Sequence, residues 1–292
     1  MKRVGIVGTG VMGRTVAARL VESGVAVQGY DGSPACVEQA RAAGVAMCGS
    51  LSELARATDW VMLFLPGPAE IAACVTGPGG LLAAQAQGNV IIDLCTSSPH
   101  NTVAMAAAAR VAGVHYLDAP VLGRPGTVGQ WTLPVGGEPV VLEEVRPLLE
   151  LISANVVHIG EAGSGHKVKL LNQLMFGAIN GMTAEMMAVA EKVGIAPVRL
   201  YEVITASQAA TVSNLFKELG RRVSEDRYDD PTFTVALLAK DVRLGLEMAE
   251  SAGAPLVLGR SVDFLNKAAA AQGMGAADSA VMWQCVKNLW KA

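Results

Sequence analysis

Val4-Gly5-Ile6-Val7-Gly8-Thr9-Gly10-Val11-Met12-Gly13 is the stretch on which the reading of this chain turns. Val4, Ile6 and Val7 make a short apolar, β-branched run, and the glycines that follow break it. An Ala-rich amphipathic segment then continues over 13–23. Strand, Gly-x-Gly-x-x-Gly turn and helix, in that order, can cradle a pyrophosphate. Gly8 permits the tight turn, Gly10 lets a phosphate approach the backbone, and Gly13 lets the helix pack on the strand. With 32 glycines in the chain, the spacing alone carries little weight, and its placement carries more. A second strand over 25–30 ends at Asp31, 18 residues past Gly13. A carboxylate there can accept both ribose hydroxyls and would repel a 2′-phosphate. Gly32 and Ser33 supply no arginine to neutralise one, so NAD is the favoured cofactor and NADP the second candidate.

The alternation continues outward. Short buried-strand runs recur at 60–65, 90–94, 114–117 and 156–159, with helical segments such as 34–43 and 99–112 between them. That pattern predicts an α/β domain of Rossmann type: a parallel sheet covered on both faces. Past residue 162 the strand signal stops. Helical patterns follow at 165–193, 198–206, 211–221, 232–252, 257–271 and 278–290, with Pro197, Pro231 and Pro255 near starts or breaks. Two domains are expected, 1–162 and an all-α 163–292 that opens with a long interdomain helix. A length of 292 residues suits two domains.

Composition excludes several classes. At 51% hydrophobic and 17% charged, the chain can bury a large core, so disorder is not its main state. Residues 1–162 hold 9 basic and 13 acidic side chains, the remainder 14 and 13. Neither part has the basic excess that nucleic acid requires. The five cysteines form no CxxC and the four histidines show no metal-ligand spacing, which argues against disulfides and zinc. The most apolar late stretch, 170–189, carries Asn172, Gln173, Asn180 and Glu185, too polar for a lipid span. A soluble, cytoplasmic protein is expected.

Lys169, Asn172, Gln173, Phe176 and Asn180 fall on one face of the long helix. That polar face on an otherwise apolar helix reads either as solvent-exposed or as the wall of a catalytic cleft. Arg124 stands in a Gly- and Pro-rich loop, where it is either a surface charge or a bidentate clamp on an anion. Trp131 opens a strand, and core packing and pocket lining are both open for it.

Several motifs together resemble the β-hydroxyacid dehydrogenases, the group of 3-hydroxyisobutyrate dehydrogenase and tartronate semialdehyde reductase. They are the N-terminal GxGxMG, Leu65-Pro66, Asp93-Leu94-Cys95-Thr96 with Pro99, Asp118-Ala119-Pro120-Val121, Gly163-Ser164-Gly165 followed by Lys169, and Lys240-Asp241. The resemblance covers the whole chain and implies a 6-phosphogluconate dehydrogenase-like fold. It also implies hydride transfer between nicotinamide and the alcohol or aldehyde carbon of a small 3-hydroxy acid. By the same resemblance Lys169 shuttles the proton, and Gly8, Thr9, Gly10, Val11, Met12, Gly13, Asp31, Leu65, Pro66, Thr96 and Lys240 meet the cofactor.

The substrate side departs from the family. Its Ser-Gly-Gly reads Leu122-Gly123-Arg124 here, its Gly-Thr-Leu reads Trp131-Thr132-Leu133, and its asparagine four residues after the lysine is Gln173, preceded by Asn172. These are the expected substrate-binding positions. Sulfolactaldehyde reductases carry a Gly-Arg pair one position earlier in this loop, so a sulfonate or phosphonate aldehyde is an alternative substrate. An imine reductase and a non-catalytic NAD-binding scaffold are the rival functions. His166 reads as a helix-start residue. Arg124, Lys169 and Lys240 are expected to converge on one cleft. A homodimer or homotetramer is expected through the helical domain, whose Met175, Met182, Met186 and Met187 offer an adaptable apolar surface.

Overall fold

In the computed structural model, which describes residues 2–206, 214–253 and 256–290, strand β1 (Val4–Val7) is buried along its whole length. Ile6 faces one apolar cluster with Met62, Val90 and Ile92, while Val7 faces another with Val61, Leu63 and Ile91. A strand covered on both sides needs an unbroken apolar run rather than alternation.

Around it run α1 (Val11–Glu22), β2 (Val27–Tyr30), α2 (Pro34–Ala42), β3 (Ala46–Met47), α3 (Leu51–Ala57) and β4 (Trp60–Leu63). Then come α4 (Pro68–Thr76), β5 (Val90–Asp93), α5 (Pro99–Val111), β6 (His115–Asp118), β7 (Trp131–Gly136), α6 (Pro139–Leu149) and β8 (Ser153–Gly160). Proline opens α2, α4, α5 and α6, where its missing N–H costs nothing and its φ is preset. The sheet order is β3-β2-β1-β4-β5-β6-β7-β8. β1 pairs in parallel with both β2 and β4, so the winding direction reverses between β1 and β4. Ligands of doubly wound sheets bind at the carboxyl ends of the strands flanking that reversal.

The sheet is not wholly parallel, as the sequence suggested. β6 and β7 pair antiparallel, and β8 follows β7 in parallel, so the last two strands run opposite to the first six. The cause is the connection over 119–130, which holds one 3₁₀ turn and no crossover helix to carry the chain back.

The chain divides into two compact units, 1–169 and 170–292. Helix α7 (Ser164–Lys192) has 29 residues, about 43 Å, and gives its first turns to the first unit. The second unit adds α8 (Pro197–Ala206), α9 (Asn214–Ser224), α10 (Val235–Ser251), α11 (Val257–Ala271) and α12 (Met282–Leu289). Residues 211–213, expected to begin a helix, and Pro255 lie outside the described residues. Met175, Met182 and Met186 are exposed on α7, but Met187 is not. One residue turns the helix by about 100°, which places Met187 in the core with Phe216, Leu219 and Val223. Among the described residues, no helix is long and apolar enough to cross a membrane.

Candidate active site

The glycine turn follows β1 at the sheet's reversal point. Gly8 has φ +87°, and a Cβ there would run into the Phe64 carbonyl group, 2.9 Å from its carbon. A Cβ at Gly13 would strike the carbonyl of Gly8. At Gly10 the same atom would meet open space. Helix α1 starts without a side-chain cap and with no acid in its first turn, which leaves its leading N–H groups for an anion. A cleft of about 490 Å³ borders the turn, lined by Gly8, Gly10, Tyr30, Asp31, Leu65 and Pro66 among others. These residues fit a dinucleotide: a bare backbone for the phosphates, apolar walls and a carboxylate.

Asp31 is held in place by the turn itself. Its Oδ2 accepts from the Thr9 N–H at 2.6 Å and its Oδ1 from the Ser33 N–H at 2.8 Å. Thr9 is fully buried, so it fixes the carboxylate from behind rather than facing a ligand. Val11 is exposed, whereas Met12 packs partly against the core. Cys74 also lines the cleft, and burial, reinforced by Asp93, pushes its thiol up to about 12.

The loop after β6 is the second feature. Leu122 and Thr132 exchange backbone hydrogen bonds of 3.0 and 3.2 Å. Trp131 is completely buried, and its Nε1–H donates to the Arg124 carbonyl at 2.8 Å. A Cβ on Gly123 would sit 2.7 Å from Cγ and Nε1 of that ring. The Thr127 hydroxyl donates to the same carbonyl at 3.1 Å. Arg124 itself is half-buried and Gly123 exposed. Pocket lining for Trp131 is thereby corrected. Alternation along β7 puts Trp131, Leu133 and Val135 in the sheet's core, and the indole supports the loop from within.

The start of α7 is anchored beside that loop. Asp118, at the end of β6, accepts from the Gly163 N–H at 2.8 Å and the His166 N–H at 2.9 Å, capping the helix from another strand. Burial pushes its carboxyl up, against the pull of His166 and these two N–H groups. A Cβ on Gly165 would lie 2.5 Å from the Pro134 carbonyl oxygen and 2.7 Å from that of Asp118, so only glycine lets the helix sit this close. One turn on, Lys169 Nζ donates to the Val121 carbonyl at 2.8 Å, the residue just before Leu122.

Thr96 follows a tightly built turn after β5. Asp93 accepts from the Cys95 N–H at 3.0 Å and from the Tyr116 hydroxyl at 2.7 Å. Burial, then Asp93, drives the Tyr116 phenol well above its usual range. The Leu65 N–H points at Cys95 Sγ, 3.0 Å away, which joins the Leu65-Pro66 loop to this turn. Asp93, Asp118, Thr102 and His166 are residues whose contacts sequence reasoning did not assign. Each has a partner 23 to 71 residues away in the chain, and no local spacing reveals such pairs.

In the second unit, the Gln173 amide donates to Asp241 Oδ2 at 2.6 Å and accepts from Asn172 Nδ2 at 3.2 Å. Lys240 Nζ lies 2.7 Å from the other oxygen of Asp241. Gln173 and Asp241 are buried and Asn172 is exposed. The expected polar face of α7 is therefore partly interior. Phe176 meets Phe233 edge to face at 5.3 Å, and the Asn180 amide donates to the Ser279 carbonyl at 3.1 Å.

Fold and glycine turn together define a dinucleotide-binding protein. Residues 3–160 match the NAD-binding domain of 6-phosphogluconate dehydrogenase, and 163–286 match the NAD-binding domain of NADP-dependent 3-hydroxyisobutyrate dehydrogenase. The chain is 31% identical to 2-(hydroxymethyl)glutarate dehydrogenase of Eubacterium barkeri, over 94% of this chain and 92% of that protein. A 3-hydroxyisobutyrate dehydrogenase structure from Salmonella typhimurium covers 97% of this chain and 99% of its own, with TM-score 0.89 and 26% identity. A Pseudomonas imine reductase, at TM-score 0.64 and 18% identity over 98% of this chain and 99% of its own, shares the fold. The chain belongs to the β-hydroxyacid dehydrogenase family, and is thus an NAD(P)-dependent oxidoreductase of hydroxy acids.

Proposed function

We propose that this enzyme interconverts a small 3-hydroxy acid and its aldehyde, with Lys169 as proton shuttle, Arg124 reading an anionic group of the substrate and NAD as the preferred cofactor. The observation that carries the reading is the 2.8 Å bond from Lys169 Nζ to the Val121 carbonyl. It holds a titratable amine beside the Leu122-Gly123-Arg124 loop, whose backbone is pinned by Thr132 and Trp131.

Bound nicotinamide supplies the hydride acceptor in oxidation and the donor in reduction. The chain must then handle the proton. In oxidation Lys169 takes the hydrogen of the alcohol oxygen as the carbonyl forms; in reduction it returns that hydrogen to the nascent alkoxide. The Leu122 N–H is committed to the Thr132 carbonyl, so in the loop that replaces the family's Ser-Gly-Gly the Gly123 N–H is the backbone donor that serves a carboxylate, whatever the side chains. The Arg124 guanidinium adds a fork suited to a second carboxylate, a sulfonate or a phosphonate. The relative named for 2-(hydroxymethyl)glutarate acts on a compound with two carboxylates, which makes that acid a natural probe. Asp31 with Gly32 and Ser33 supports NAD, since no cation stands there to neutralise a 2′-phosphate. Thr96 and Met12 serve the nicotinamide end of the cofactor.

A homodimer or homotetramer would cover the apolar stripe of α7. Leu171, Met175, Met182, Met186 and Val189 are all exposed. At 100° per residue they fall within about 60° of one another around the helix.

The test is a panel of hydroxy acids and aldehydes bearing one carboxylate, two carboxylates, a sulfonate or a phosphonate, each with NAD(H) and NADP(H). The reading expects turnover on at least one two-anion compound, stronger with NAD, and loss of the two-anion preference in Arg124→Ala. Tight NADH binding with no turnover on any compound would sink it in favour of a non-catalytic scaffold. Turnover confined to cyclic imines would sink it in favour of an imine reductase.

A further inference from the structure

His166 is wholly enclosed, so it touches no substrate, yet its ring joins three separate elements. Nε2 lies 3.2 Å from the Cys95 carbonyl oxygen in the turn after β5. Nδ1 lies 2.7 Å from the Thr102 hydroxyl on α5. Its own N–H is held by Asp118 at the end of β6, and Asp118 Oδ2 stands 3.7 Å from Nδ1. A carbonyl only accepts, so Nε2 must carry a hydrogen toward Cys95. Nδ1 then takes the single hydroxyl hydrogen of Thr102, for which the Ser98 carbonyl at 3.1 Å is the more distant alternative. One tautomer thus satisfies both buried partners.

The bridge acts on the next residue at its Cys95 end and on the next helical turn at its His166 end. The Cys95–Thr96 peptide is planar and trans, so a Cys95 carbonyl aimed at His166 aims the Thr96 N–H the opposite way. At the other end, His166 precedes Lys169 by three residues, and i and i+3 are neighbours on a helix surface. The ring therefore sets the orientation of the Thr96 backbone relative to the helical turn that carries Lys169. We propose that His166 is a positioning residue for the reaction: it locks the Thr96 turn to the Lys169 turn, and so fixes the proton shuttle relative to the nicotinamide end of the cofactor. This rests on Lys169 and Thr96 having the roles given above.

The experiment compares His166→Leu, which keeps the bulk and removes both hydrogen bonds, with His166→Gln. A Gln amide presents one donor and one acceptor about as far apart as the two ring nitrogens. On the best substrate from the panel, His166→Leu is expected to lower kcat about tenfold to hundredfold, with KM and the NADH dissociation constant within about threefold of wild type. His166→Gln is expected to regain most of that kcat. A His166→Leu protein that melts at lower temperature but keeps wild-type kcat at 25 °C would show a purely structural role and overturn the proposal. So would a Gln variant as slow as the Leu variant. If His166→Leu does not fold, Thr102→Val leaves the ring in place and removes one partner; unchanged kcat there overturns the proposal, and a severalfold fall supports it. Lys169→Ala, measured alongside, separates the two readings. Full turnover in Lys169→Ala refutes the shuttle itself. An inactive Lys169→Ala beside a normal His166→Leu refutes only the positioning role.

Discussion

Replacing Gly123 by alanine adds one methyl group, and the structure says where it would go. The new Cβ would lie 2.7 Å from Cγ and Nε1 of Trp131, and nearer still to Cδ1, whereas ordinary contact begins at 3.4 Å. The ring has no room to retreat, because it is completely buried among Leu133, Val135 and their neighbours. The loop must therefore move by at least about 0.7 Å, and more to clear Cδ1. That strains the Leu122–Thr132 pair and the bond from Trp131 Nε1 to the Arg124 carbonyl. Overpacking of this kind costs about 1–3 kcal/mol of stability. A misplacement of about 1 Å in a substrate-holding loop costs about a hundredfold in rate. Gly123→Ala should therefore fold with a reduced melting temperature and lose about a hundredfold in kcat/KM. NADH affinity, read by nucleotide fluorescence, should stay within about threefold because the glycine turn after β1 is untouched. A folded variant with kcat/KM within about threefold of wild type would refute the idea that Trp131 fixes the substrate loop.

Gly10→Ala makes the opposite case: its Cβ meets nothing within 4 Å, so thermal stability should hold while NADH affinity falls at least about tenfold, by titration. For pH, Asp59 is held at about 2, below its ordinary 3.8, chiefly by its hydrogen bonds from Arg3. A depressed carboxylate stabilises the fold above the ordinary value and loses that contribution as pH falls through about 2. Asp59→Asn should thus melt slightly below wild type at neutral pH, with the gap closing between pH 3.8 and about 2; a gap that persists unchanged below that window contradicts the assignment.

Much of the first unit was legible from sequence because each of its signals is local. Glycine spacing, β-branched runs and a terminal Asp31 sit within about 30 residues of one another, and the turn they imply is the one observed. The reversal of β7 and β8 was not legible, since it depends on a connection that lacks a helix rather than on any strand residue. Trp131 was ambiguous for a related reason: a strand-opening aromatic reads alike as core or as pocket until its neighbours across the sheet are known. Met187 shows how fine the margin is, as one helical position separates it from exposed Met186. His166 reads from sequence only as a helix-start residue and Asp118 only as part of a motif, because each gains its meaning from partners on other elements. Lys169 and Gln173 stand four apart on one helix, yet their hydrogen-bond partners, Val121 and Asp241, come from distant parts of the chain.

The most direct measurement is single-turnover hydride transfer in Lys169→Ala, followed at the NADH absorbance with saturating cofactor and the best substrate of the panel. Loss of a positioned acid–base group costs about a hundredfold to ten-thousandfold. The expected result is a fall in that range, with NADH affinity and melting temperature near those of wild type. A single-turnover rate within about threefold of wild type, in folded protein, would contradict the role of Lys169 as the proton shuttle.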